Sequence, residues 1–322
     1  MYQAKRSCHS DFLDIRGLRY HVRIWEPIAV PVTVPDGDAS ALSASALKRP
    51  GNVPTPAAMT CVLLHGWMDV SASFQFLVDQ LPGHWRFLAP DWRGYGLTQW
   101  AQADCYWFPD YLADLDALLD HYSPNDACRL IGHSMGGNVG ALYSGIRPDR
   151  VERLVNLDGL GLSPGDPAHA PARYAQWLDE IKAGESIRPF DSEPAIAERL
   201  MKNNPRLRRA FAQFLAQHWA SVDADGLFRV RGDPAHKLVN PVLYRVEEVN
   251  ACWQQIRSPV LWVFAQLNPR YDALMASADY QQRLSCIARL QRRTLPDSGH
   301  MMHHDQPEIL AGIITEFMNA KI

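Results

Sequence analysis

The sequence lacks any apolar run as long as the roughly 18 residues that a membrane-spanning helix needs, so we expect no membrane segment. It also lacks a basic surplus, because 32 lysines and arginines stand against 35 acidic residues, a formal charge of -3. With no excess charge to neutralise phosphates, we expect no nucleic-acid partner. The first residues, MYQAKRSCHSDF, contain neither an apolar core nor a cleavage signal, so we expect no secretory leader.

Cysteines are few and far apart, at positions 8, 61, 105, 128, 252 and 286. They form no C-x-x-C pair, so neither a zinc site nor a disulfide framework is indicated. Reduced thiols are typical of the cytoplasm, and the sequence therefore predicts a cytoplasmic protein. Hydrophobic residues make up 47% of the 322 residues, which is enough for a large folded core.

Short apolar runs alternate with amphipathic helical patterns over most of the chain. Six segments have the pattern of strands: 19–25, 61–64, 86–90, 128–132, 152–157 and 259–265. Residues 108–122 and 305–318 repeat their apolar side chains at helical spacing. Runs that are apolar throughout suit parallel strands covered on both faces. The alternation therefore predicts an α/β protein with a mostly parallel sheet and helices on both faces.

Two segments interrupt this alternation. Residues 27–58 hold six prolines and many alanines and serines, and we interpret them as an inserted loop, because proline removes backbone donors. Residues 162–256 are helix-rich and dense in aromatics. A helical insertion between two strands would lie over the strand ends, where α/β sheets bind ligands. We interpret it as a helical cap on a core formed by residues 1–161 and 257–322.

The sharpest motif is GHSMG at residues 132–136, a G-x-S-x-G sequence between an apolar run and a helical pattern. In that context the serine lies on a tight strand-to-helix turn, with its hydroxyl exposed. The helix N-terminus favours negative charge that develops there. Ser134 is therefore the candidate nucleophile.

With three further segments, this motif resembles the α/β-hydrolase superfamily. Residues 65–67 (HGW) match its oxyanion loop, residues 91–96 (DWRGYG) match its D-x-R-G-x-G turn, and residues 298–300 (SGH) lie where its catalytic histidine lies. The resemblance covers about residues 59–161 and 258–320. It implies an α/β-hydrolase fold, a mostly parallel eight-stranded sheet with a helical cap inserted after the sixth strand.

The resemblance also implies roles for individual residues. His300 would be the general base, and the backbone N–H groups of Trp67 and Met135 would form the oxyanion hole. Trp67, Met135 and Trp107 are candidates for an apolar substrate pocket. The family's chemistry implies no metal and no organic cofactor.

His300 also belongs to a group of three histidines close together in the sequence. His303 and His304 complete an H-x-x-H-H pattern with it. Because no acid or cysteine at helical spacing completes a ligand set, we expect solvated histidines and no metal.

In this family an acid completes a catalytic triad with the serine and the histidine, and the position of that acid departs from the family's pattern. It usually follows the strand at 259–265, and Asn268, which carries no charge, occupies that position. Asp158 follows the strand at 152–157, where some members of the superfamily place the acid. We therefore predict Asp158 as the acid, with Asp272 and Asn268 as alternatives.

A serine nucleophile with an oxyanion hole suits acyl transfer through a tetrahedral intermediate. The sequence thus predicts a serine hydrolase, monomeric or homodimeric, that cleaves an ester or related acyl bond through an acyl-enzyme. Its substrate would be small to medium and partly apolar. C–C bond hydrolases, lactonases and thioesterases share this triad. A cofactor-free lyase or oxygenase and a non-catalytic ligand-binding protein are alternatives of other classes.

We expect the inserted loop to be dispensable for folding. Loop length changes stability slowly, by about 0.6 kcal/mol for each doubling. A variant that lacks residues 30–56 should therefore unfold thermally within a few degrees of the full chain, as followed by circular dichroism. An insoluble variant, or one with a much lower melting temperature, would show that the segment packs against the core.

Overall fold

A computed structural model of the chain describes residues 2–28 and 59–321. The strands in these ranges are β1 (His9–Ile15), β2 (Leu18–Trp25), β3 (Thr60–Leu64), β4 (Arg86–Pro90), β5 (Cys128–His133), β6 (Val151–Leu157), β7 (Ala220–Val222), β8 (Phe228–Val230), β9 (Val260–Ala265) and β10 (Leu290–Leu295). The α-helices are α1 (Gln75–Val78), α2 (Phe108–Tyr122), α3 (Met135–Ile146), α4 (Ala170–Ala183), α5 (Glu193–Asn203), α6 (Arg209–Trp219), α7 (Val246–Gln254), α8 (Tyr271–Ala276), α9 (Ala278–Ser285), α10 (Met302–Asp305) and α11 (Pro307–Asn319).

Eight strands form one sheet in the order β1-β2-β4-β3-β5-β6-β9-β10. β2 pairs antiparallel with β1 and β4, and all other neighbours in this sheet are parallel. The mostly parallel eight-stranded sheet predicted from the sequence is confirmed. Because the parallel strands run in one direction, their carboxyl ends lie along one edge of the sheet, where ligands bind in such folds.

Apolar side chains cover both faces of the sheet, as the uniform apolar runs predicted. Along β3, Val62 and Leu64 join the core formed with α2, α3 and α7. The alternate residues Cys61 and Leu63 join a second core formed with α1 and α11. Successive side chains of a strand point to opposite faces, so the helices lie in two layers with the sheet between them.

All six predicted strands are present. Two further strands of this sheet, β1 and β10, were not predicted from the sequence. Both β1 and β10 lie at an edge of the sheet. In β10 four consecutive residues, 291–294, are exposed, so no apolar run marks the strand. β10 pairs with β9 over its whole length although most of its side chains are exposed, so this pairing determines the strand.

The segment between β6 and β9 contains α4 to α7 and a short antiparallel hairpin of β7 and β8. The hairpin was not foreseen in the helical interpretation of residues 162–256. Helices α5 and α6 form a small core around Phe76 of α1, and Phe76 stacks on Phe211 with ring centroids 3.8 Å apart. This segment therefore packs onto the first helix of the α/β core.

The predicted loop at 27–58 lies outside the described residues, apart from Pro27 and Ile28. Over the described ranges, none of the helices combines the length and apolar character needed to cross a membrane. All six cysteines predicted to be reduced are free thiols.

A buried ion pair fixes the turn after β4. The carboxylate of Asp114, on α2, has no exposed surface. It accepts hydrogen bonds from Arg93 Nε at 2.6 Å and Nη2 at 2.7 Å, and from the Tyr20 hydroxyl at 2.7 Å. Arg16 Nη1 donates a further bond at 2.9 Å. These contacts tie the turn at residues 91–96 to α2 and β2.

Asp114→Ala should destabilise the fold by roughly 3 kcal/mol, the low end of the range for breaking a buried pair, because it leaves the buried Arg93 guanidinium with only the partly exposed Asp110 carboxylate, 3.1 Å from Nη1. The matched control is Asp120→Ala on the same helix. Asp120 pairs with Arg150 at 3.2 Å, but its side chain is 69% exposed, so its loss should cost less than about 1 kcal/mol. Urea unfolding of both variants measures the two free energies. Equal values would show that the Arg93 pair does not hold the turn.

Candidate active site

The backbone turns sharply between β5 and α3, at Ser134. This residue has φ 52° and ψ -115°, in the left-handed region that L-residues rarely adopt. A Cβ at Gly132 would lie 2.4 Å from the carbonyl oxygen of Gly136, and a Cβ at Gly136 would lie 2.1 Å from that of Leu64. Only glycine fits either position, so the motif's spacing follows from the close approach of β3, β5 and α3.

Ser134, His300 and Asp158 form a continuous chain of hydrogen bonds. The Nε2 atom of His300 lies 2.9 Å from Ser134 Oγ, and its Nδ1 atom lies 2.7 Å from Asp158 Oδ2. A carboxylate only accepts hydrogen bonds, so Nδ1 carries the ring proton of the neutral imidazole. Nε2 then has a free lone pair directed at the serine hydroxyl, which is the arrangement a general base needs.

Asp158 follows β6 and is almost completely buried, at 2% exposure. Its Oδ1 atom accepts from the Ala265 N–H at 3.1 Å, at the end of the neighbouring strand β9. Its Oδ2 atom accepts from Asn268 Nδ2 at 2.5 Å as well as from His300. The Asn268 Oδ1 atom accepts from the Arg270 N–H at 3.0 Å, which fixes the orientation of the amide. The buried carboxylate is therefore fully hydrogen-bonded.

Of the three alternatives considered for the acid, one contacts the imidazole and a second contacts that acid. Asp158 contacts His300 directly, and Asn268 contacts Asp158. Asp272 is exposed in the first turn of α8. Among residues 2–28 and 59–321 no hydrogen bond joins Asp272 to His300.

Two further family motifs hold the loops around the serine. The Nε2 atom of buried His65 accepts from the Trp92 N–H at 2.9 Å, and its Nδ1 donates to the Gly66 carbonyl at 2.8 Å. Burial lowers the pKa of His65, which keeps the imidazole in this neutral form. Asp91 accepts from the Ser71 N–H at 2.6 Å and pairs with His21 at 2.7 Å. Both side chains connect loops and do not reach the serine.

A cavity of about 460 Å³ opens beside Ser134. Its wall contains all three predicted pocket residues, Trp67, Met135 and Trp107. Trp67 is 54% exposed, and its indole N–H donates to the carbonyl of His236 at 3.1 Å. This bond links the HGW loop to the segment inserted between β6 and β9.

Several residues of this wall were missed in the sequence analysis: Tyr106, Tyr111, Asn138, Leu160, His236, Leu238, Asn240 and Arg270. His236 stacks between Tyr95 and Tyr106, with both ring centroids 3.8 Å away. Burial lowers its pKa to about 3, so the imidazole is neutral near pH 7. No local motif surrounds His236, and only the three-dimensional placement of the inserted segment identifies it.

A second cavity of about 300 Å³ meets the first at the serine. Trp67, Ser134 and His300 lie in the walls of both cavities. The apolar side of the second cavity comes from α5, α6 and the residues between them: Leu200, Leu207, Leu215 and Trp219. A molecule bound at Ser134 therefore has room on two sides of the hydroxyl.

Comparisons with known proteins show which proteins this chain is similar to. A serine hydrolase-like protein of Danio rerio is 29% identical over 264 residues, 79% of this chain and 80% of that protein. An sn-1-specific diacylglycerol lipase of Mus musculus, ABHD11, is 25% identical over 262 residues, 80% of each chain. The solved thioesterase domain from the curacin biosynthetic pathway superimposes with a TM-score of 0.75 at 19% identity, over 96% of this chain and 99% of that one, a similarity of fold. The family model for the alpha/beta hydrolase fold matches residues 61–307, most of the sequence, and the chain therefore belongs to the α/β-hydrolase fold family.

Proposed function

We propose that this α/β hydrolase is a serine hydrolase that cleaves ester or related acyl bonds, with Ser134 as nucleophile, His300 as general base and Asp158 as the orienting acid. The observation that carries the proposal is the hydrogen-bonded chain from Ser134 Oγ through His300 to Asp158, at 2.9 Å and 2.7 Å. The serine hydrolase-like and lipase names of its relatives support the same reaction class.

In the first half-reaction Ser134 Oγ attacks the carbonyl carbon and passes its proton to His300 Nε2. The carbonyl π electrons move to oxygen, and the backbone N–H groups of Trp67 and Met135 stabilise the resulting oxyanion. When the tetrahedral intermediate collapses, the bond to the leaving alcohol breaks and His300 returns the proton to that alcohol. An acyl-enzyme on Ser134 remains.

In the second half-reaction water takes the place of the alcohol. His300 removes a proton from the water, which attacks the acyl carbon, and the second tetrahedral intermediate expels Ser134 Oγ. The proton then returns to the serine and the carboxylic acid leaves. Both steps require a base that alternates between neutral and protonated, and neither requires a metal or an organic cofactor.

Asp158 stabilises the protonated imidazole in each half-reaction. Three donors, from Ala265, Asn268 and His300, hold its carboxylate in place. Because Asp158 is buried, its attraction for the imidazolium is screened less than it would be in water. Asn268 stands where the family's usual acid would be and serves as a donor to the acid.

The two cavities favour a substrate with apolar groups on both sides of the bond that is cleaved. The larger cavity has aromatic side chains in its wall, and the smaller has leucines and Trp219. Together they suit a small to medium ester, and the segment at 162–256 acts as a cap that supplies one side of each cavity. The same attack cleaves a lactone or a thioester, since both present a carbonyl carbon with a leaving group.

A fluorophosphonate probe should label Ser134 and no other serine. Ser10 and Ser73 also contact imidazoles, but Ser134 combines such a contact with the N-terminus of α3 and with a cavity that admits the probe. Peptide mass spectrometry locates the adduct, and hydrolysis of 4-nitrophenyl butyrate should stop as labelling proceeds. Ser134→Ala is the control, and it should remain folded without binding the probe. Labelling at another serine, or none on folded wild-type protein, would eliminate Ser134 as the nucleophile.

Asp158→Asn should lower kcat by about 10⁴-fold, because an amide no longer holds the proton on His300 Nδ1 and does not stabilise the imidazolium. Asp272→Asn is the matched control, the same change at the exposed alternative acid, and it should retain nearly all activity. Asn268→Ala should fall between them, since it removes one donor and leaves the acid. Steady-state kinetics on 4-nitrophenyl butyrate measures all three. If Asp272→Asn is the damaged variant, the acid lies in the loop after β9.

A further inference from the structure

Three ionisable side chains converge behind the triad. Asp69 lies in the loop after β3, His133 ends β5, and His303 lies in α10. They are 6%, 1% and 0% exposed. One potential ligand atom from each lies within 4.8 Å of the other two. The mechanism proposed for Ser134 uses none of these side chains.

Each of the three has one polar atom in a hydrogen bond and one that makes none. Asp69 Oδ2 lies 3.8 Å from His303 Nε2, close enough for a salt bridge but too far for a hydrogen bond. His133 Nε2 bonds the carbonyl oxygen of His300 at 2.8 Å, and His303 Nε2 bonds Ser73 Oγ at 2.8 Å. Asp69 Oδ1 accepts a hydrogen bond from the Val70 N–H at 2.9 Å. Within the described residues, His133 Nδ1, His303 Nδ1 and Asp69 Oδ2 have no hydrogen-bond partner.

Unpartnered polar atoms in an interior are costly, at roughly 1–3 kcal/mol each, and a ligand that binds all three would remove this cost. The carbonyl that His133 Nε2 faces only accepts, so Nε2 carries the proton and Nδ1 has its lone pair free. An imidazole held at one nitrogen by a carbonyl or hydroxyl, with its other nitrogen free, is the arrangement of metal-binding histidines.

A glycine and a cavity lie beside His133. A Cβ at Gly66 would lie 2.9 Å from His133 Nδ1, so any larger residue at 66 would occupy the position next to that nitrogen. Asp69 and His133 also lie in the wall of the 300 Å³ cavity. Because the three unpartnered atoms are themselves buried, an ion that enters from this cavity must displace side chains to reach them.

We propose that Asp69, His133 and His303 bind a divalent transition-metal ion of the Zn²⁺ class. Two imidazoles and one carboxylate suit such ions. Ligand atoms bound tetrahedrally at about 2.1 Å lie about 3.4 Å apart, so the cluster contracts slightly on binding. From the sequence we expected solvated histidines at 303 and 304, but both are buried in the structure. In the sequence we found no acid at helical spacing from them, because the Asp69 carboxylate comes from a loop more than two hundred residues before His303.

The experiment is a calorimetric titration of Zn²⁺ into untagged, chelator-treated full-length protein. One equivalent should bind, and Co²⁺ in its place should give the visible absorption bands of a tetrahedral site. Asp69→Asn and His303→Gln should each weaken Zn²⁺ binding by more than about 100-fold, since loss of even a supporting contact costs a metal site 10–100-fold.

Two controls place the ion. His121→Asn removes an exposed histidine at the end of α2, and His300→Ala removes the triad imidazole. Both should bind Zn²⁺ as wild type does. Melting temperatures measured without metal establish that each variant is folded. If His303→Gln does not fold, the isosteric variant Asp69→Asn still tests the proposal. Wild type that binds no Zn²⁺ would overturn the proposal, as would wild-type affinity in Asp69→Asn or lost affinity in His300→Ala.

Discussion

The carboxylate of Asp158 joins three loops, and the candidate site depends on that junction. It receives the N–H of Ala265 at the end of β9, the amide of Asn268 beyond it, and the ring N–H of His300 after β10. A buried carboxylate is tolerated only when its lone pairs are used, so each bond stabilises the charge and also fixes the loop that supplies the donor. The imidazole is positioned against Ser134 as a result.

The parallel sheet makes this junction possible. β5, β6 and β9 are neighbours, so Ser134, Asp158 and Asn268 leave the sheet at the same edge although they are far apart in sequence. Two layers of helices bury the strands and leave this edge open. The segment between β6 and β9 then packs over it and supplies parts of both cavity walls.

The parts of the molecule that the sequence revealed are those whose physics is local. Uniform apolar runs marked the central strands. The glycines of the tight turn between β5 and α3 marked Ser134, because that turn brings Gly132 and Gly136 into contact within a few residues. β10 was missed because pairing with β9 determines it and its side chains are exposed. Because position 268 holds asparagine and not an acid, the sequence predicted Asp158 as the acid. No sequence pattern predicted the hydrogen bond between the side chains of Asn268 and Asp158. His236 and Asp69 likewise reach their neighbours only through the fold.

The residue that follows Asn268 makes its side-chain amide resistant to deamidation. Asparagine converts to aspartate mainly when the backbone nitrogen of the next residue attacks its side-chain amide. The next residue is Pro269, whose nitrogen carries no hydrogen to lose, so this cyclisation is blocked. Conversion would place a second carboxylate about 2.5 Å from Asp158 Oδ2, where two like charges repel strongly. The proline therefore protects the hydrogen-bond donor of the acid against slow loss over the lifetime of the molecule.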